Sequence, residues 1–89
     1  MKWVWDTTKD ARNRVKHGLP LSIGIYALED PLSLSQPDPH EDNDRWQTIG
    51  QVNGVLLFVV HTEASETLSG RIISVRKASK MERKAYENG

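Results

Sequence analysis

The sequence predicts an α+β protein in which helices pack on a meander of antiparallel strands. Three observations carry that prediction. Asn53-Gly54 separates two strand-like runs, and a type I′ hairpin turn needs positive φ at both central residues. Val55-Leu56-Leu57-Phe58-Val59-Val60 is apolar throughout, so it reads as a central strand covered on both faces. Two charged stretches carry helix signals: Asp6-Thr7-Thr8 and Gly18 frame one, and Ser79-x-x-Glu82 opens the other.

In chain order, Lys2 to Trp5 alternates Lys-Trp-Val-Trp and reads as a short first strand. The first helix is expected from about Thr8 to His17, with Thr7 and Asp10 approximating a capping box. Ala11 and Val15 then form its narrow apolar face. Gly18 stops it, which leaves Lys16 and His17 in the last turn, where cations complement the helix dipole. Ser22 is expected to cap a second helix through about Glu29, with Leu21, Ile25 and Leu28 as its buried stripe. Gly24 weakens that helix, so that Ile23-Gly24-Ile25-Tyr26 could also be extended, and Pro31 ends the element either way.

Leu32 to Ser35 alternates as an edge strand, and Gln36 to Asp44 is a polar, proline-punctuated loop of the kind that carries functional groups. Arg45 to Val52 is the next strand. Trp46, Thr48, Gly50 and Val52 lie on one face; Arg45, Gln47, Ile49 and Gln51 lie on the other. The apolar central strand continues into His61-Thr62, and Gly70 to Arg76 returns antiparallel after the Glu63–Ser69 loop. The final helix runs from Lys80 to about Glu87. The order is β-α-α-β-β-β-β-α, with the helices expected on one side of the sheet.

At 89 residues the chain is read as one domain. It has no cysteine, which excludes a disulfide framework and thiolate metal sites. Its start lacks the apolar run of a signal peptide, and no run reaches membrane-spanning length, so a soluble, cytoplasmic protein is expected. The formal charge is zero, which argues against nucleic-acid binding by the whole surface. The charge is segregated, however. Glu29 to Asp44 is acidic without a single Lys or Arg, whereas Arg71 to Lys84 is basic with only Glu82 opposed.

The sequence holds no glycine-rich phosphate loop and no nucleophile motif, and its three histidines lie at spacings that give a metal site no support. What remains is a set of cationic and acid/base types: Lys16, His17, His40, Glu41, Arg45, Arg71, Arg76 and Tyr86. Metal-free RNA cleavage needs such a set. A base takes the ribose 2′-OH proton, cations stabilise the phosphorane, and an acid protonates the leaving 5′ oxygen. Trp46 or Tyr26 could supply a stacking surface for an unpaired base. Arg71 and Arg76 are five apart, so a regular strand would point them to opposite faces. Both serve one site only through a bulge, or if one lies beyond the strand end.

Several ordered fragments resemble one family. They are Trp5-Asp6-x-x-Lys9, Asn13-x-x-Lys16-His17-Gly18, Asp30-Pro31, His40-Glu41 with Arg45, and Thr48-Ile49-Gly50. Val60-His61-Thr62, Arg71-Ile72-Ile73-Ser74-x-Arg76-x-Ala78 and Glu82-Arg83-x-x-Tyr86 complete the set. Together they resemble the BrnT family of bacterial toxins across nearly the whole chain. The resemblance implies a type II toxin–antitoxin ribonuclease with a RelE/ParE-like fold that arrests translation and growth. It implies a BrnA-like antitoxin whose ribbon-helix-helix part dimerises and binds the operon's promoter, so that the toxin meets DNA only indirectly. It further implies site members Lys16, His17, Glu41, Arg45, Arg71, Arg76 and Tyr86, with His40 and His61 less secure, and no cofactor or metal. Arg71 and Arg76 would hold the scissile phosphate, Glu41 or His17 would be the base, and the acid is unassigned. An edge strand could support a homodimer within a toxin–antitoxin heterotetramer. Two other readings compete: a non-catalytic module whose basic patch docks an acidic partner, and a ParE-like inhibitor of DNA gyrase.

Overall fold

The computed structural model describes residues 2–39 and 44–89. His40 and Glu41, both named above, lie outside the described residues. Within them the elements are β1 (Trp3–Val4), α1 (Thr7–His17), a 3-10 turn (Leu21–Ile23), α2 (Gly24–Leu28), β2 (Leu34–Pro37), β3 (Arg45–Val52), β4 (Val55–Thr62), β5 (Gly70–Lys77) and α3 (Lys80–Asn88). The sheet order is β1-β5-β4-β3-β2, with β4 in the centre. β1 pairs parallel with the start of β5, and every other pairing is antiparallel. Asn53 and Gly54 adopt φ of 50° and 82°, the two positive values that the hairpin between β3 and β4 requires. Among the described residues no helix is long and apolar enough to cross a membrane.

The α+β class is as expected, but the helices do not share one side of the sheet. Leu57 and Val59 of β4 pack with Leu21, Ala27, Ile72 and Val75 beneath α2 and the 3-10 turn. Phe58 packs on the other face with Ile49 and Ala78, where Tyr86 of α3 covers them. A central strand that is apolar at every position needs cover on both faces, and α3 supplies the second layer.

α1 differs from expectation in two ways. Asp6, not Thr7, is its N-cap: the carboxylate accepts from the Thr8 and Lys9 N–H groups at 2.7 and 3.1 Å. Ala11 and Val15 do not form its buried face, for Ala11 is exposed and Val15 is 90% exposed. The stripe turned inward is polar: Asp10, Asn13 and His17, three and four residues apart. The reason is where the helix sits. β1 is too short to cover the edge of β5 beyond Arg71, so the backbone groups of Val75 need another partner. Asn13 provides one, donating from Nδ2 to Val75 O at 2.8 Å and accepting from Val75 N–H at 3.0 Å. The same Nδ2 donates to Leu19 O at 2.8 Å, and Asp10 accepts from Leu21 N–H at 2.7 Å. The helix is docked by hydrogen bonds where a sequence pattern looks for methyl groups.

The second helix is shorter than expected, and Ser22 makes no capping hydrogen bond. Gly24 is buried there, where an added Cβ would stand 3.0 Å from Val75 Cγ2. A Cβ on Gly50 of β3 would collide with the Ala27 carbonyl, so this glycine sets how closely α2 lies on the sheet. β2 begins two residues later than expected. The Asp30 side chain accepts from Leu32 N–H at 2.9 Å, and Ser33 N–H bonds Asp30 O at 3.0 Å, which holds the preceding residues in a turn. At the far end Ser79 and Glu82 form the expected capping box.

Candidate functional site

The face of the sheet that α3 crosses carries most of the cations singled out in the sequence, and a bulge is the cause. Along β4 and β5, Arg76 pairs with Phe58, Val75 with Val59 and Ser74 with Val60, but His61 then pairs with Ile72. Ile73 is the extra residue of the bulged strand. Skipping it restores the alternation one residue out of phase. Ile72 and Val75 therefore share the buried face, while Arg71, Ser74 and Arg76 share the other. Of the two ways that the five-residue spacing left open, the bulge is the one present.

The register across the sheet extends this face into rows. One row is Arg76, Phe58, Ile49 and Leu34; the next is Ser74, Val60, Gln47 and Gln36. Beyond them Arg45 sits opposite Thr62, whose Oγ1 accepts from Arg71 N–H at 2.8 Å. Adjacent strands lie about 4.8 Å apart, so Arg45 and Arg71, one on each side of β4, have Cα atoms roughly 10 Å apart. Their long side chains can meet over Thr62 on one anion. Arg71 and Arg76 are separated by four ladder steps, or about 13 Å along the strand.

Arg76 is already engaged. Its two terminal nitrogens donate to the two Glu82 carboxylate oxygens at 2.8 and 2.9 Å, and its guanidinium lies 4.1 Å from the centre of the Phe58 ring. The Arg76 guanidinium holds Glu82 below the usual carboxylate range, with the Ser79 N–H adding to the effect. Glu82 thus closes the α3 capping box and pins Arg76 at once.

Lys16 and His17 stand at the C-terminal end of α1. With Lys9, Arg12, Ile73 and Ser74 they line a cleft along the outer edge of β5, beside the arginine face. Tyr86 lies elsewhere. Its hydroxyl donates to Asp30 Oδ2 at 2.7 Å, and that oxygen also accepts from Gln51 N–H at the opposite end of the sheet from Arg45 and Arg71. The Tyr86 bond holds the Asp30 carboxyl low, and in return the tyrosine is pushed up.

His61 is 7% exposed on the far face and is built into a chain of hydroxyls. Its Nδ1 faces Thr62 O at 2.8 Å, so it must be the protonated nitrogen, because a carbonyl only accepts. Nε2 then accepts from Thr48 Oγ1 at 2.6 Å, and Ser35 Oγ lies 2.7 Å from the same hydroxyl. Trp3 meets the ring edge-on at 5.3 Å, and burial pushes the imidazole pKa down. Of the proposed stacking residues, Trp46 is half-buried beside this network, whereas Tyr26 is exposed at the β3–β4 hairpin end.

Two contributions were missed in the sequence. Asn13 ties the helix carrying Lys16 and His17 to the strand carrying the arginines; its signal was a mid-helix amide at helical spacing from Asp10 and His17. The sequence marks Glu82 as a cap only. Its second role had no local signal, because Arg76 reaches it across the strand–helix junction.

A small α+β protein with helices on both faces of its sheet, one arginine-bearing sheet face and a cationic helix end beside it is suited to holding a polyanion. The ribonuclease toxin family BrnT, of type II toxin–antitoxin systems, matches residues 5–82. The chain belongs to that family, and an antitoxin partner comes with it. A comparison with curated proteins gave no match.

Proposed function

We propose that this BrnT-family chain is a metal-independent endoribonuclease whose active surface is the arginine face of the sheet. The observation that carries the proposal is the bulge at Ile73, since it turns Arg71 to the same face as Arg45 and Arg76. Arg45 and Arg71 clamp the scissile phosphate and neutralise the charge that develops on its equatorial oxygens. Arg76 holds a neighbouring phosphate after exchanging its Glu82 partner. His17 or Glu41 takes the 2′-OH proton, the 2′ oxygen attacks phosphorus, and the P–O5′ bond breaks. The leaving 5′ oxygen takes a proton from water, and the products are a 2′,3′-cyclic phosphate and a 5′-hydroxyl. Lys16 adds positive potential at the helix end. The fold is RelE/ParE-like in this reading, and cutting RNA arrests translation and growth. A BrnA-like antitoxin neutralises the toxin and carries the complex to its own promoter.

The test is RNA integrity with purified wild type and with Arg71→Ala, in EDTA, with end-group analysis of the fragments. Cyclic phosphate ends with wild type and intact RNA with the variant are expected, and Arg71→Ala and Arg76→Ala relieve growth arrest while remaining folded. Cleavage lost in EDTA, or full activity in both variants, refutes the mechanism. One observation favours a docking role for the same face: Arg76 already grips a carboxylate bidentately, as it would an acidic partner segment. In that reading wild type leaves RNA intact, and Arg76→Ala loses only antitoxin binding.

A further inference from the structure

The cleft between α3 and the sheet meets the mechanism above only at Glu82, the carboxylate that Arg76 exchanges. Leu34, Ile49 and Phe58 form its floor, Met81 and Ala85 its outer wall, and Gln36 and Gln47 its rim. Its volume of about 240 Å³ suits one flat ring system; pockets for drug-sized ligands start at roughly 300 Å³. A partner's helix would need a longer groove.

Hydrogen-bond polarity fixes the rim. An ionised carboxylate only accepts, so Gln47 Nε2, 2.8 Å from Asp38 Oδ2, is a donor. Gln47 Oε1 is thereby turned to β2, where it accepts from Gln36 Nε2 at 2.9 Å. Gln36 keeps Oε1 and one N–H without a partner among the described residues, on an exposed amide. An adjacent acceptor and donor on a glutamine amide is the group that pairs bidentately with adenine. The Phe58 floor and the Met81 thioether give a base apolar surface to pack on. Arg76, lying on Phe58 and paired with Glu82, borders the same floor, and Glu82 also lines the cleft, so the phosphate of a nucleotide seated here meets the Arg76 guanidinium by displacing that carboxylate.

We infer that this cleft is a nucleobase subsite that takes an unpaired adenine, read by the Gln36 amide; the inference rests on the reading of this face as RNA-binding. The experiment is a titration of the isotope-labelled full chain with AMP and, separately, UMP, followed by NMR. AMP should move the side-chain amide signals of Gln36 and Gln47 and the Met81 methyl signal, and bind about tenfold more tightly than UMP. Gln36→Leu, a change at an exposed position that folds normally, should erase that preference. Unmoved signals, or a preference that survives in Gln36→Leu, overturn the subsite. Cleavage of RNA measured alongside separates the two readings. AMP binding with intact RNA upholds the subsite and sinks the ribonuclease reading. Cleavage whose bias towards adenine is untouched by Gln36→Leu sinks the subsite alone. A variant that loses antitoxin binding while its AMP response is unchanged assigns the cleft to the protein partner and overturns the inference.

Discussion

Replacing Asn13 by alanine removes the joint between the two halves of the proposed site. The variant leaves the N–H and C=O of Val75 without partners, at a residue with no exposed surface. Each orphaned buried group costs about 1–3 kcal/mol, so the pair costs roughly 4 kcal/mol. The Leu19 carbonyl, half-buried, can turn to water and adds little. A chain of 89 residues has roughly 4–13 kcal/mol of stability in all, so Asn13→Ala stands near the limit of folding. In urea unfolding followed by tryptophan fluorescence, the midpoint should fall by about 3 M at a slope of roughly 1–1.5 kcal/mol/M. Val15→Ala on the same helix is the control. At 90% exposure it should change stability by less than about 0.5 kcal/mol. Asn13→Asp keeps the shape and one acceptor but cannot donate to Val75 O and Leu19 O, so it should be no better than alanine at neutral pH. If Val15→Ala costs more than Asn13→Ala, the helix faces the sheet through its methyl groups, and the docking described above is wrong.

Three further outcomes are expected. Gly50→Ala forces a Cβ into the Ala27 carbonyl and should lower stability by at least about 1–3 kcal/mol, read as a drop in thermal midpoint, while Gly18→Ala, strained but spacious, should cost less. Burial lowers the His61 pKa, so the unfolded chain binds the proton first and stability falls as pH drops below about 6.5; His61→Gln should remove that slope. The lowered carboxyls of Glu82 and Asp30 add a separate loss below about pH 4.5, which His61→Gln should leave in place in the same pH-dependent urea series. Arg45→Ala and Arg71→Ala should each reduce the slope of log affinity for single-stranded RNA against log salt by about 0.7, measured by fluorescence anisotropy; unchanged slopes would mean that neither side chain meets a phosphate.

Local chemistry that repeats over a few residues was legible in the sequence. Asn53-Gly54, the Ser79–Glu82 capping box, Gly18 and the apolar run of β4 all act within one turn or one strand, and each stands where its pattern put it. The orientation of α1 was not legible. Its docking partner is the backbone of Val75, and a backbone group leaves no mark in the residue pattern of a strand 62 positions away. The one-sided placement of the helices failed for a related reason. The double-faced apolarity of β4 already implied cover on both sides, but nothing within the α3 sequence says which face it crosses. Of the site, the arginines and the need for either a bulge or a place beyond the strand end were readable, whereas the choice between them and the position of the bulge were not. Ile73 is one isoleucine of an adjacent pair, and only the pairing of His61 with Ile72 decides which of the two is extra.

That bulge also limits how the arginines divide their work. On a regular ladder Arg71 would turn to the face that holds His61 and Trp3, where its charge would have to be buried. With Ile73 skipped it stands next to Thr62 and within reach of Arg45, in a cleft that it shares with Asp44 and Glu63. The same geometry leaves Arg76 about 13 Å away along the strand, which favours successive phosphates of a chain over two grips on one. Arg76 must also release Glu82 to bind a phosphate, exchanging one bidentate pair for another with little net gain. Affinity for RNA should therefore concentrate on Arg45 and Arg71. Arg76 acts instead through where the chain is placed, beside Phe58 and the cleft under α3. A zero net charge is compatible with binding RNA on these terms, because the acidic stretch from Glu29 to Asp44 and the basic stretch from Arg71 to Lys84 are separate in the sequence.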